Sequence, residues 1–168
     1  VSHQIHDNPE LSSQEVFASN LLCETLEGFG FTVERGFAGL PTAFCARKGP
    51  PARPRVAFLA EYDALPGIGH ACGHNVIATS ALGAGIGLGS LGDALPGEVW
   101  VVGTPAEETD GAKCAMASGG YFNDLDAALM VHPHDGNYTT TVSLALTALQ
   151  VSFFGKTSHA AAAPWEGV

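Results

Sequence analysis

The sequence predicts an α/β layered domain built on a largely parallel sheet. Helix-like segments alternate with short, near-continuously apolar runs ("RVAFLA", "EVWVV", "AALMV"), the pattern of strands buried on both faces. Titratable residues follow the carboxyl ends of these runs, where open α/β sheets collect their ligand chemistry. With 46% hydrophobic and 14% charged residues over 168 positions, the chain is globular and long enough for one ordinary core.

The elements follow in order. Asn8-Pro9 opens a turn, and Ser12 and Glu15 stand at capping-box spacing. Val16, Leu21, Leu22 and Leu26 then recur at helical spacing until Gly28 or Gly30 ends the helix. "TVERG" and "TAFCARKG" read as short strands joined by "FAGLP". A buried strand over 56–60 runs into "EYDALPG", and "NVIATSALGAGIGLGSLGDAL" reads as a small-residue helix packed close on the sheet. A second buried strand over 99–102 leads into "GTPAEETDG", and "AKCAMASGGYF" reads as helix. "LDAALMVHPHDG" is a third strand ending in histidines. "SLALTALQVSFFGK" is a longer alternating strand, and Pro164 with Glu166 marks a helix first turn.

A net charge of −10 without a basic cluster argues against a nucleic-acid partner. Four scattered cysteines without a CxxC pair point to reduced thiols and a cytoplasmic protein. No run of about 20 apolar residues is present to span a membrane. The chain opens without Met, which leaves room for a leader before it, and stops at Val168 where a helix begins. It reads as a fragment.

"GHACGHN", residues 69–75, sets two histidines and a thiol among Gly and Ala. Cys72 and His74, with Gly73 between them, suit one metal ion. They also suit a thiol nucleophile with a neighbouring base, or a buried Cys beside a surface His. Glu107 and Glu108 follow an apolar strand. Adjacent carboxylates at a strand exit repel unless a cation or shared proton resolves them, so one fits a ligand and its neighbour a general base. The ordinary alternative is a solvated acidic loop. His132 lies after "AALMV", and His134 is its substitute in either role. Asp63 fits a carboxylate that orients a ligand histidine or a turn before Pro66, and Glu61 is equally open. His159, flanked by Lys156 and Ser158, falls in a different compositional segment. His3 and His6 read as surface. One thiol, two imidazoles and paired carboxylates match a dinuclear hydrolytic site. Cys72, His74, Glu108 and His132 fall one or two ligands short of that set.

These motifs resemble a family. "HDNPELSSQE", "AEYDALPGIGHACGHN", "GTPAEE" followed by "GAK", "DAALMVHP" and "FFGKTSHAAAAPWEG" are similar, in order, to those of the dinuclear metallopeptidases. That family includes aminoacylase, carboxypeptidase G, hippurate hydrolase and auxin-conjugate hydrolase. With Asn75, the central motif looks closest to β-alanyl-lysine-type dipeptidases and aminobenzoyl-glutamate hydrolases. The resemblance implies a three-layer zinc-peptidase-like catalytic domain over 1–140. Residues 141–168 would begin a small α+β lid or dimerisation domain. It implies two divalent ions, zinc foremost, with manganese, cobalt or nickel as alternatives. Cys72 would bridge them, with His74, Glu108 and His132 as ligands. Glu107 would be the general base, Asp63 a supporting carboxylate and His70 a turn residue beside the site. His159 would reach a homodimer partner's active site to polarise the scissile carbonyl. A further ligand histidine would lie downstream, so the fragment alone is expected to be inactive. The expected substrates are small N-acyl amino acids or dipeptides. Two other readings stand beside this one: a non-catalytic metal-binding or dimerising module of the same fold, and a cysteine hydrolase using Cys72.

Overall fold

The structure, a computed structural model, describes residues 1–139, 149 and 151–167. The chain divides into two units, Val1–Asp135 and Gly136–Val168.

The first unit holds helices α1 (Ser2–Asp7), α2 (Val16–Gly28), α3 (His74–Gly89) and α4 (Ala112–Ser118). Its strands are β1 (Thr32–Arg35), β2 (Phe44–Lys48), β3 (Arg55–Ala60), β4 (Glu98–Gly103) and β5 (Ala127–Leu129). They form one sheet in the order β1-β2-β4-β3-β5. β3 pairs in parallel with β4 and with β5, while β1–β2 and β2–β4 are antiparallel. The sheet is therefore mixed, and its parallel half carries the candidate site.

Alternation along the strands builds three layers. Val99 and Val101 of β4 join Phe44 and Ala46 of β2 in a core with Ile5, Leu22, Leu26 and Leu82 from α1, α2 and α3. Trp100, Val102 and Cys45 face the other way, onto Met116 and Ala112 of α4. Period-two side-chain alternation with both faces covered is what the near-continuous apolar runs required. The glycines of α3 let it lie close to the sheet. A Cβ on Gly85 would stand 2.2 Å from Val101 Cγ2.

Two sequence expectations change in the first unit. The capping box does not form: α2 has no side-chain cap hydrogen bond from its N-cap residue, Glu15. Glu10 accepts from the amides of Phe17 (2.8 Å) and Ala18 (2.9 Å) instead, because Ser12 and Glu15 are engaged by distant partners. The third strand is short. β5 ends at Leu129, so His132 and His134 lie in the loop beyond it. Its ladder to β3 runs only from Ala127 to Leu129. The amino end, to which the sequence reading assigned no element, forms the helix α1; it hangs on the buried Ile5 and on Asn75 Nδ2 donating to Ser2 Oγ at 3.1 Å.

In the second unit, the strand expected over 143–156 lies partly outside the described residues. Its described stretch, 151–156, takes no strand conformation and has no ladder partner among the described residues. Pro164–Gly167 forms a 3₁₀ turn. His159 accepts at Nδ1 from the amides of Ala161 (3.3 Å) and Ala162 (3.1 Å). A ring nitrogen that accepts is unprotonated, so the neutral ring carries its proton on Nε2.

Candidate metal centre

The centre is assembled by the parallel strands and the loops after them. β3 ends at Ala60 and delivers Glu61 and Asp63. β4 ends at Gly103 and is followed by Thr104, whose amide donates to Ala60 O at 2.8 Å. This bond keeps the two exits side by side until Glu107 and Glu108. The loop after β5 brings His132. The turn closed by Gly73 N donating to His70 O (3.0 Å) starts α3 and places Cys72 and His74. Gly73 makes that turn with φ +84°, and a Cβ there would sit 2.8 Å from Pro133 Cγ. A glycine both reaches this left-handed conformation and lets the His132 loop approach.

His74 is the hub. It is fully buried, and its Nδ1 lies 2.8 Å from Asp63 O and 3.0 Å from Asp63 Oδ1. A carbonyl oxygen only accepts, so Nδ1 carries the proton and Nε2 presents a lone pair. That nitrogen faces Glu61 Oε2 at 3.5 Å, Glu107 Oε2 at 3.7 Å and Glu108 Oε1 at 3.8 Å. His132 repeats the arrangement. Its Nδ1 donates to Pro133 O at 2.7 Å, and its Nε2 lies 3.7 Å from Cys72 Sγ.

Two groups of ligand atoms, each within 4.8 Å of one another, share His74: Cys72–His74–His132 and Glu61–His74–Glu107. Glu108 stands beside the second group through its approach to His74 Nε2. His134 turns to Asp135 Oδ1 at 2.5 Å. Asp63 holds the hub from behind. Burial would raise its carboxyl, but bonds from His74, the Glu108 amide and Ser12 outweigh that and keep it well below the usual range. Ser12 Oγ donates to Asp63 Oδ2 at 2.8 Å, and Glu108 N donates to the same oxygen at 3.0 Å.

The electrostatics call for a cation. Burial, then the Glu61 charge, pushes the Glu107 carboxyl up. Burial would lower His74, but the Asp63 bond and the Glu61 charge raise it on balance. The Cys72 thiol is pushed up to about 11, first by burial and then by Glu108, the opposite of an activated thiol nucleophile. Glu61 is buried and paired with the Lys113 ammonium. Glu61 Oε2 and His74 Nε2 are both buried without a hydrogen-bond partner among the described residues. Buried polar atoms rarely stay unpaired, and a thiol, imidazoles and carboxylates are the donors that divalent zinc takes. The residues fit such ions. A cavity of about 430 Å³ at the amino end of β4, lined by Lys48, Gly49, Asp93 and Leu95, holds no thiol or imidazole and a single carboxylate.

His70 is buried as part of the turn below the site. His3 and His6 are exposed on α1. The sequence left Glu61 open and passed over Lys113 and the inward roles of Ser12 and Glu15. The apolar run directly before Glu61 is the signal that its carboxylate starts from a buried strand end. Nothing local marks the other three.

Known proteins bear on this arrangement. The model of Peptidase family M20/M25/M40 matches residues 57–165. Mouse Xaa-Arg dipeptidase is 43% identical over 182 aligned residues, covering 100% of this chain and 42% of that protein. A p-aminobenzoyl-glutamate hydrolase polypeptide of Escherichia coli is 35% identical, covering 99% of this chain and 39% of that protein. The chain thus spans well under half the length of these relatives. Among solved structures, the Bacillus subtilis YXEP protein is a dinuclear metal binding peptidase from the M20 family. It superposes with a TM-score of 0.67 at 30% identity, covering 76% of this chain and 39% of that one. Among the described residues, no helix is long and apolar enough to cross a membrane.

Proposed function

The chain belongs to peptidase family M20/M25/M40, and from that membership we propose that it is the amino-terminal part of a metal-dependent hydrolase of small amides. The observation that carries the proposal is the convergence on His74 Nε2. One buried ring nitrogen, without a hydrogen-bond partner among the described residues, faces Glu61, Glu107 and Glu108, and Cys72 and His132 lie within ligand reach of the same side chain.

Cys72, His74, His132 and Glu108 would hold two divalent ions. The thiol favours zinc over manganese, cobalt or nickel. When bound, the ions supply Lewis acidity toward a carbonyl and acidify water. The chain's own residues do the rest. Glu107, partly exposed and raised in proton affinity by burial and Glu61, takes the proton of the attacking water and hands it to the leaving amine. Asp63 fixes the His74 tautomer so that Nε2 stays a donor of electrons. His159, with its proton on Nε2, polarises the scissile carbonyl across a homodimer formed by the lid, for which residues 141–168 are the start and 1–140 the catalytic part. The names of the mouse and bacterial relatives favour dipeptides and acyl- or aminobenzoyl-amino acids as substrates. Four free cysteines favour the cytoplasm.

The test uses the full-length protein that carries this chain, with metal content measured beside hydrolysis of a panel of acyl-amino acids and dipeptides. Glu107→Gln should keep its metal and lose at least about 100-fold in kcat. Near-normal turnover in that variant would overturn the assignment. Stoichiometric metal with no amide hydrolysed by the unmodified protein would favour the non-catalytic module.

A further inference from the structure

Glu15 has no place in the scheme above, yet it is a fully buried carboxylate whose partners are an amide and a hydroxyl. Its Oε1 accepts from Ala106 N at 2.8 Å, and its Oε2 accepts from Thr42 Oγ1 at 3.0 Å. Ala106 immediately precedes Glu107 and has φ +57°, a left-handed conformation that a residue with a Cβ disfavours. Its carbonyl closes the following turn by accepting from Gly111 N at 2.7 Å. On the other side of Glu107, the Glu108 amide is held by Asp63. The backbone on either side of Glu107 is therefore pinned by two different buried carboxylates. Thr42 is fixed in turn, since Tyr62 Oη donates to Thr42 O at 2.7 Å.

We infer that Glu15 is a positioning residue: it holds Ala106 in its left-handed turn and so aims the Glu107 carboxylate at the reacting centre. The inference rests on the hydrolase reading for its catalytic consequence, but not for its structural one. An ordinary helix-capping glutamate would be solvated and would bond its own helix. Glu15 instead turns away from α2 to reach a residue 91 positions later. A charge-assisted bond to an amide is among the stronger local restraints available. Applied next to a disfavoured φ, it selects one orientation of the residue that follows.

The test is a double-mutant cycle between Glu15→Ala and Ala106→Gly in the full-length protein, reading kcat, KM and metal content. Glu15→Ala should lower kcat by about 10- to 100-fold, the effect of a misplaced catalytic group, with KM and bound metal unchanged. Glu15→Gln keeps an acceptor for Ala106 N and should retain most of the activity. Glycine adopts the left-handed turn without penalty, so the loss caused by Glu15→Ala should shrink several-fold in the Ala106→Gly background. Equal losses in both backgrounds would overturn the inference, as would an unchanged kcat or a parallel loss of metal. If Glu15→Ala does not fold, Glu15→Asp carries the same test, since it keeps the charge but not the reach. Amide exchange separates this inference from the hydrolase reading. Glu15→Ala must unprotect the Ala106 amide while the Glu108 amide, held by Asp63, stays protected. That result is read even if the unmodified protein hydrolyses nothing. Unchanged Ala106 protection sinks the inference whatever the activity.

Discussion

Asp63 accepts from His74 Nδ1 with one carboxylate oxygen, at 3.0 Å, and from Ser12 and the Glu108 amide with the other. One side chain thereby sets the tautomer of the hub imidazole and holds the acidic loop against it. Asp63→Asn tests both duties. The amide oxygen can still accept from one side, but its NH₂ cannot accept on the other. Divalent-ion affinity, measured by titration calorimetry, should fall about 10- to 100-fold, the usual loss when a ligand histidine's partner is altered. Stability should fall by about 1–3 kcal/mol because buried donors lose their acceptor. Unchanged affinity would mean that His74 is oriented by Asp63 O alone.

Thiol chemistry separates a ligand cysteine from a nucleophile. Cys23 and Cys45 are buried, with thiols pushed up to about 11 and about 12, chiefly by burial. Cys114 is exposed and Cys72 half-buried. Iodoacetamide at neutral pH should label Cys114 first, Cys72 slowly, and Cys23 and Cys45 only on unfolding. Added zinc should protect Cys72 and leave Cys114 reactive, as read by peptide mass mapping. Faster labelling of Cys72 than of Cys114 would revive the cysteine-hydrolase reading.

How much of this was legible in the sequence depends on how local each cause is. The runs that became β3 and β4 were legible because a strand buried on both faces writes itself as continuous apolar residues. The cluster after them followed from the rule that ligands gather at strand exits. Ser12 and Glu15 matched a capping box, and local spacing alone supports that reading. Their true partners, Asp63 and Ala106, lie 51 and 91 residues away. No periodicity reports a pairing across such distances. Glu61 stayed open for a related reason: its place at a strand end is local, but its partner, Lys113 of α4, lies 52 residues away. α1 offered one apolar residue in six, too few to show a face.

Gly73 joins the two halves of the centre. Its left-handed φ and the contact its Cβ would make with Pro133 are separate obstacles to substitution. Gly73→Ala should cost about 1–2 kcal/mol for the backbone alone, read by chemical denaturation. It should also push the His132 loop away from Cys72 and weaken metal binding more than the lost stability explains. A variant that loses stability but binds metal normally would show that the loop adjusts independently of the turn.

Asp126 anchors the strand that leads to His132. Its amide donates to Arg55 O at 2.8 Å, its carboxylate accepts from Arg55 N at 2.7 Å, and Arg53 pairs with the same carboxylate. The bond from the Arg55 amide, helped by the Arg53 bond and the Arg53 and Arg55 charges, outweighs the opposing effect of desolvation and lowers the Asp126 carboxyl below its ordinary range. The sign follows from linkage. A group that binds its proton less readily in the folded state stabilises that state above its unfolded pKa, about 3.9 for aspartate. That stability is lost as pH falls through the folded value. Asp126→Asn should therefore be less stable than the unmodified protein at pH 5–7 by a constant margin. The margin should close below about pH 4, as measured by urea unfolding at a series of pH values. A margin that stays constant or widens in acid would show that the carboxylate charge is not what ties β5 to β3.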